Sequence, residues 1–214
     1  MTPREMRNDR YGAYVVKNLK SRNFDACYVQ TKEEALTEAL SRIQEGSLVS
    51  WGGSETIRQI GLLDAVKNGN YRCIDRDSAE DLEERMERMR KALLCDVFLC
   101  SANAVSADGQ LINVDGGGNR VAAMAFGPKK VLVVAGMNKV VPTVEDGIRR
   151  IQMTAAPVNM MRFANEKTNT PCAKTGQCGN CNGTDGICNI WSIEKRSLFP
   201  GRIQVILVGE ELGY

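Results

Sequence analysis

The chain has 214 residues, 43% of them hydrophobic and 25% charged, with a formal charge of +2, which suits one globular domain with a sizeable core. Basic and acidic residues are interspersed, so there is no polyelectrolyte footprint for nucleic acid, and the longest apolar runs, such as Val131–Met137, fall far short of a bilayer span. There is no histidine, which excludes serine–histidine and cysteine–histidine hydrolase schemes and leaves acid–base chemistry to carboxylates, Lys, Tyr, Cys or a cofactor.

The N-terminus, MTPREMRNDR, is charged and no apolar signal region follows it, so a cytoplasmic location is expected. From Pro3 to Leu19 the residues Met6, Tyr11, Tyr14, Val15 and Leu19 recur at helical spacing, predicting an amphipathic helix suited to packing or to a homo-oligomer contact. Phe24–Val29 reads as a strand. Thr31-Lys32-Glu33-Glu34 opens a helix with a capping box, in which the threonine hydroxyl and the glutamate each bond a free backbone N–H. Ser47–Trp51 is a buried-type strand that ends in Gly52-Gly53-Ser54-Glu55-Thr56, where two glycines allow a sharp turn and Ser54 can cap the next helix while its neighbours' N–H groups face an anion.

Arg72–Ile74 predicts a short strand, and Ser78-Ala79-Glu80-Asp81 a capping box that starts a helix. That helix carries Leu82, Met86, Met89 and Leu93 as a stripe for packing on a sheet. Asp96–Cys100 is a buried strand, and it delivers the richest stretch of the chain, Ser101–Arg120. Asp108-Gly109 between two short apolar runs predicts a hairpin with a tight primed turn. Asp115-Gly116-Gly117-Gly118-Asn119-Arg120 follows. Its glycines are expected to reach positive φ and close approach to a ligand, with helix-start N–H groups and the Arg120 fork facing an anion. Asn103, Asn113 and Asn119 are the expected orienting hydrogen-bonders.

Lys130–Gly136 is a β-branched run of the kind buried on both faces of a sheet. Thr143-Val144-Glu145-Asp146 predicts another capped helix, and Arg202–Gly209 a final strand. Strands alternating with helices make the fold α/β, with 1–214 as a single domain and 165–190 as a Cys-rich insertion.

The insertion carries Cys172-x5-Cys178-x2-Cys181-x6-Cys188. Four thiolates without histidine suit an iron–sulfur cluster of the four-iron type or a tetrahedral zinc site. The spacing matches neither ferredoxin runs nor paired zinc ribbons, and disulfides, a redox pair or free thiols are the other readings. Cys27, Cys73, Cys95 and Cys100 lie in apolar segments and are expected to be buried small hydrophobes.

Ser50–Leu62 (SWGGSETIRQIGL), Ser101–Ala123 (SANAVSADGQLINVDGGGNRVAA) and Val131–Ile151 (VLVVAGMNKVVPTVEDGIRRI) together resemble the lactate-utilisation (LUD) domain family, over about residues 10–155. The resemblance implies the Rossmann-like three-layer α/β/α sandwich shared by ribose-5-phosphate isomerase, glucosamine-6-phosphate deaminase and coenzyme A transferases. Its ligands would sit at glycine-rich loops, here Gly52–Thr56 and Ser101–Arg120, with Thr143–Asp146 nearby. It also implies an association with oxidation of L-lactate to pyruvate alongside iron–sulfur and flavin-type partner subunits.

The resulting expectation is a cytoplasmic redox-associated protein holding a small anionic metabolite or cofactor at the two loops and a cluster at the four cysteines. The rival is a non-redox enzyme on a sugar phosphate, a folate or an acyl-coenzyme A. It would use Glu55, Asp108 or Asp115 as acid–base group, with zinc bracing the cysteine loop. A third reading is a non-catalytic sensor or subunit.

Overall fold

The computed structural model describes residues 1–214. Its regular elements begin with α1 (Pro3–Ser21), β1 (Asp25–Val29), α2 (Lys32–Ser41), β2 (Leu48–Trp51), α3 (Glu55–Gln59), α4 (Leu62–Asn68) and β3 (Arg72–Ile74). They continue with α5 (Leu82–Ala92), β4 (Val97–Cys100), β5 (Ala104–Ser106), β6 (Leu111–Asp115), α6 (Asn119–Ala125) and β7 (Lys130–Gly136). Last come β8 (Val140–Val141), α7 (Val144–Arg150), α8 (Ala156–Met161), α9 (Pro171–Thr175), β9 (Ile190–Glu194) and β10 (Ile203–Val208).

Six strands pair in the order β1-β10-β7-β4-β2-β3, every pairing parallel. Parallel strands need crossovers, and the crossover helices cover both faces, so a strand at the centre can be apolar throughout. In β7, Val131, Val133 and Ala135 face a core completed by Val15 and Leu19 of α1 and Ala123 and Met124 of α6. Leu132 and Val134 face the opposite core, with Ala35 and Ala39 of α2, Ile57 of α3 and Leu62 of α4. The continuous run read from the sequence is thus the central strand of a sheet buried on both sides.

A second sheet, in the order β8-β5-β6-β9, grows from the β5–β6 hairpin inserted between β4 and β7. Ala104, Ile112 and Val114 pack there against Ile151 and Ala156. The helix beginning with α7 widens into a π-type turn at Ile151–Ala155 before α8, next to Pro157, which cannot donate to the helical ladder. β9 has the alternating pattern Ile190-Trp191-Ser192-Ile193-Glu194, which the sequence reading left unassigned.

Four local expectations are corrected. The hairpin is closed by a three-residue loop: Ser106 N donates to Gln110 O, Gly109 N donates to Ser106 O, and only Gly109 has positive φ, at 90°. A primed two-residue turn would need positive φ at Asp108 as well. The helix after β3 starts at Asp81, which accepts from Glu84 N, whereas Ser78 closes a 3-10 turn; the acidic pair Asp81/Glu84 out-competes the serine three residues earlier. Of its stripe, Leu82 is 73% and Met86 41% exposed, because α5 meets the sheet only near Ala92. Finally, Cys95 and Cys100 are buried, but Cys27 is half-buried and Cys73, on the edge strand β3, is exposed.

Gly109 offers a sharp stability test. A Cβ there would stand 2.6 Å from Asn18 C and Leu19 N, backbone atoms of α1 that cannot yield cheaply. Gly109→Ala is expected to cost about 2 kcal/mol or more from positive φ plus this collision, read as a lower urea midpoint with unchanged slope.

Candidate functional site

Ligands in parallel α/β sheets collect where strand carboxyl ends meet helix starts. Here β2 and β4 are neighbours, and the loops leaving them line one cleft of about 270 Å³. Gly53, Ser54 and Glu55 come from the first loop. From the second come Ser101, Asn103, Asp115, Gly116, Asn119 and Arg120. The two glycine loops therefore face each other. Gly52, Thr56, Asn113 and Gly118 are buried behind this surface, Gly117 is exposed outside it, and Ser54 caps α3 by accepting from Ile57 N at 3.3 Å.

Arg120 is held by its own chain. Its Nε donates to Asp115 Oδ1 at 3.0 Å and its Nη2 to the same oxygen at 2.7 Å, to Asn103 Oδ1 at 2.7 Å and to Val114 O at 2.9 Å. Its Nη1 donates to Ser101 O at 2.8 Å and to Asn113 Oδ1. All five N–H groups of the guanidinium are thereby engaged. Asp115 Oδ2 also accepts from Arg120 N and Val121 N, each at 2.9 Å, so the α6 N-terminus already holds a carboxylate. Asn103 and Asn113 likewise spend their oxygens on this network, Asn103 also accepting from Val114 N. Among the three glycines only Gly118 has positive φ, at 81°. The motif works as a clamp that fixes the second loop's shape.

The cations left facing the cleft are ones the sequence reading missed. Arg76 lies in the 3-10 turn after β3, its side chain 12% exposed. Its Nε stands 3.6 Å from Asp77 Oδ1, beyond hydrogen-bond reach, and has no other partner. The Asn119 amide, oriented with its oxygen inward, accepts from Arg76 Nη1 at 3.2 Å. Gly53 leaves room for this guanidinium, since a Cβ there would lie 2.5 Å from Arg76 Nη2. Asp77 lowers the local charge by accepting from Arg58 at 3.3 Å and Arg85 at 3.4 Å, while Arg162 adds another cation to the rim.

Lys139 closes the inner wall. It follows β7 in a 3-10 turn, is 3% exposed, and its Nζ donates to Thr56 Oγ1 at 2.8 Å and Ser101 Oγ at 3.0 Å. No carboxylate pairs with it; burial first, then the Arg150 and Arg120 charges, bring its pKa down to about 7. One signal in the sequence could have found it: a lysine directly after a fully apolar parallel strand sits at a ligand-binding edge.

Of the three candidate acids, Glu55 lines the cleft from the first turn of α3 and Asp115 is engaged by Arg120. Asp108 lies outside, at the hairpin tip. There burial, which would raise its pKa, is outweighed by hydrogen bonds from Ser106 and Gln110 and by Arg22, so its carboxyl stays below the usual range. Thr143 caps α7 by accepting from Asp146 N at 3.1 Å, and Thr143–Asp146 do not reach the cleft.

Behind the clamp, Glu194 accepts from Asn113 Nδ2 at 2.8 Å. Burial pushes its carboxyl up despite that bond and the Arg120 charge. A raised folded-state pKa means that folding binds a proton, so stability falls as pH rises from the unfolded value toward the folded one. Glu194→Gln should therefore melt higher than wild type at about pH 8, with the difference shrinking as pH falls toward about 4.

The four cysteines of the insertion converge. Cys172, Cys178, Cys181 and Cys188 line one small cavity with Ile187 and Trp191. Asn180, at φ 48°, turns the chain between Cys178 and Cys181, and its N–H donates to Cys178 Sγ at 3.4 Å. Thr170 Oγ1 lies 3.5 Å from Cys172 Sγ. Burial, then the neighbouring Cys178, Cys172 and Cys181, push the Cys188 thiol up to about 11. No three Cys, Asp or Glu side chains close on a single ion. Ile187 also lines the cleft, and Asn189 ties the insertion to the second loop through Asp115 O at 2.9 Å and Gly116 O at 3.2 Å.

The model of the LUD domain matches residues 13–208, nearly the whole chain and both glycine loops. The chain belongs to the LUD domain family. Among solved structures, it is similar to a DUF162 family protein from Deinococcus radiodurans at 14% identity and a TM-score of 0.51, covering 94% of this chain and 98% of that one. That likeness agrees with the α/β fold, a parallel sheet flanked by helices. No curated protein matches the chain. The LUD match runs through the cysteine segment, so the insertion is internal to the family's extent. No helix of this LUD domain is long and apolar enough to cross a membrane.

Proposed function

We propose that this LUD domain binds a small organic acid of the lactate–pyruvate class in the cleft between its two glycine loops, as part of organic-acid oxidation in the cytoplasm. The observation that carries the reading is the cation set around the cleft: Arg76 is almost buried with an unpartnered Nε, and Lys139 is buried without a carboxylate. Buried charges are costly until paired, and an anion entering the cleft supplies the pair. Arg76 is the expected carboxylate ligand, because a guanidinium edge matches a carboxylate. Arg120 shapes the loop, and Asn119 orients Arg76.

The four cysteines line one cavity, and four thiolates without histidine are the donor set of an iron–sulfur centre, with a tetrahedral zinc as the alternative. Cys172, Cys178, Cys181 and Cys188 would hold the cluster, with the Asn180 N–H supporting Cys178. Such a cluster supplies one-electron transfer when bound. Ile187 borders both the cysteine cavity and the cleft, which keeps the two sites adjacent.

Two experiments test this. Protein purified without oxygen should contain iron and acid-labile sulfide at about four each per chain; one zinc and no sulfide would make the insertion a brace. A thermal-shift panel should show stabilisation by lactate, pyruvate and oxalate but none by lactamide. Stabilisation by sugar phosphates alone would move the reading to a non-redox enzyme with Glu55 as its acid–base group.

A further inference from the structure

Lys139 has more in it than a positive charge. Its Nζ is bonded to two hydroxyls, Thr56 Oγ1 beside the first glycine loop and Ser101 Oγ at the start of the second. The charged and titratable groups that act on it are Arg120 from α6, Arg150 from α7 and the buried Cys100 thiol of β4. Arg150 is fixed by donating to Asn138 O at 3.0 Å and Asn103 O at 2.6 Å, so the second cation cannot swing away. Gly213 packs over the amine, where a Cβ would come within 3.0 Å of Nζ. A lysine that is desolvated, flanked by cations and without a counter-ion is the arrangement that yields a nucleophilic amine. At neutral pH a substantial fraction of such an amine is unprotonated, its pKa lying at about 7.

We infer that Lys139 is the covalent-chemistry residue of the cleft, its Nζ adding to the carbonyl carbon of a small 2-oxo acid to form an imine. The inference rests on the organic-acid reading above and specifies the carbonyl form as the ligand. The Nζ lone pair forms the C–N bond as the carbonyl π bond opens onto oxygen. That oxygen takes up protons and leaves as water, and loss of the remaining N–H proton completes C=N. One amine and one carbonyl give one imine and one water, with no change of oxidation state. The Thr56 and Ser101 hydroxyls accept from the amine before addition, and the protons that leave with the oxygen balance those the amine gives up. Arg76 holds the carboxylate.

The test is reductive trapping on the full chain. Pyruvate followed by borohydride should add, to one residue, the mass of the acid less one oxygen atom, and peptide mapping should place it on Lys139. The trapping rate should rise through pH of about 7 and then level off, whereas exposed lysines gain reactivity only toward about pH 10. Lys139→Arg and Lys139→Met should lose the adduct, and if either fails to fold, the map of the wild-type adduct decides alone. Absence of an adduct in folded protein, or one scattered over exposed lysines, overturns the inference. Calorimetry with pyruvate and oxalate in the same preparation separates the two levels. Binding without an adduct removes the imine and leaves the organic-acid reading, and neither binding nor adduct removes both.

Discussion

Arg120→Met is expected to be the most destabilising single substitution in the second loop, by about 3–5 kcal/mol, the range for breaking a buried charge pair by removing one partner. The Asp115 and Arg120 side chains are only 10% and 13% exposed. Losing the guanidinium strands the Asp115 charge and leaves Ser101 O, Asn103 Oδ1 and Asn113 Oδ1 short of a donor. For a domain of this size that corresponds to a fall in melting temperature on the order of 10 °C. Asp115→Asn should be milder, since an amide oxygen still accepts from the guanidinium. If Arg120→Met melts within a degree or two of wild type while ligand binding is lost, Arg120 is a ligand-binding residue and the clamp is misassigned.

Arg76→Met should do the reverse. The substitution removes a buried cation whose Nε has no partner, so stability should hold or rise slightly. Affinity for a carboxylate should fall about 10- to 100-fold, the worth of a charge-assisted hydrogen bond at tenfold per 1.4 kcal/mol. Loss of affinity with retained stability is the signature of a residue kept for function at a cost in stability. Gly53→Ala, which would drive a Cβ against Arg76 Nη2, should weaken binding in the same direction.

Local signals in the sequence were legible wherever one short-range rule dominated. The capping box Thr31/Glu34 and the Thr143 cap start their helices where expected, and the apolar run at Lys130–Gly136 is the buried parallel strand. Ser78 lost to Asp81 because two cap patterns overlapped within a few residues and the choice depends on where the turn after β3 points. The stripe on α5 holds at its far end, where Leu93 packs on the core, and fails at Leu82 and Met86 for a related reason: periodicity marks a face, while exposure depends on what the rest of the chain brings to it. β9 pairs with β6 across 75 or more residues of sequence, which no local pattern reveals.

The cleft was half legible. Its glycine loops were visible because glycine's freedom leaves a compositional mark, and Gly53 indeed makes room for a guanidinium. Residue type did not reveal which charges were spent inside the chain. Arg120 and Asp115 looked available side by side and are bound to each other. Arg76 and Lys139 sit in 3-10 turns without a motif, and the unpartnered Nε of the one and the missing carboxylate of the other emerge only when the sheet is assembled. The four cysteines were legible as a group, and the turn at Asn180 brings Cys178 and Cys181 to the cavity they share with Cys172 and Cys188.

The most direct test of the account is a calorimetric titration of pyruvate into the wild-type chain and Arg76→Met at matched salt. The account predicts saturable binding at one site in the wild type, weakened about 10- to 100-fold in the variant, with the variant's melting temperature unchanged or higher. Equal affinities in the two proteins would contradict it, because the guanidinium with the unpartnered Nε would then have no part in holding the acid.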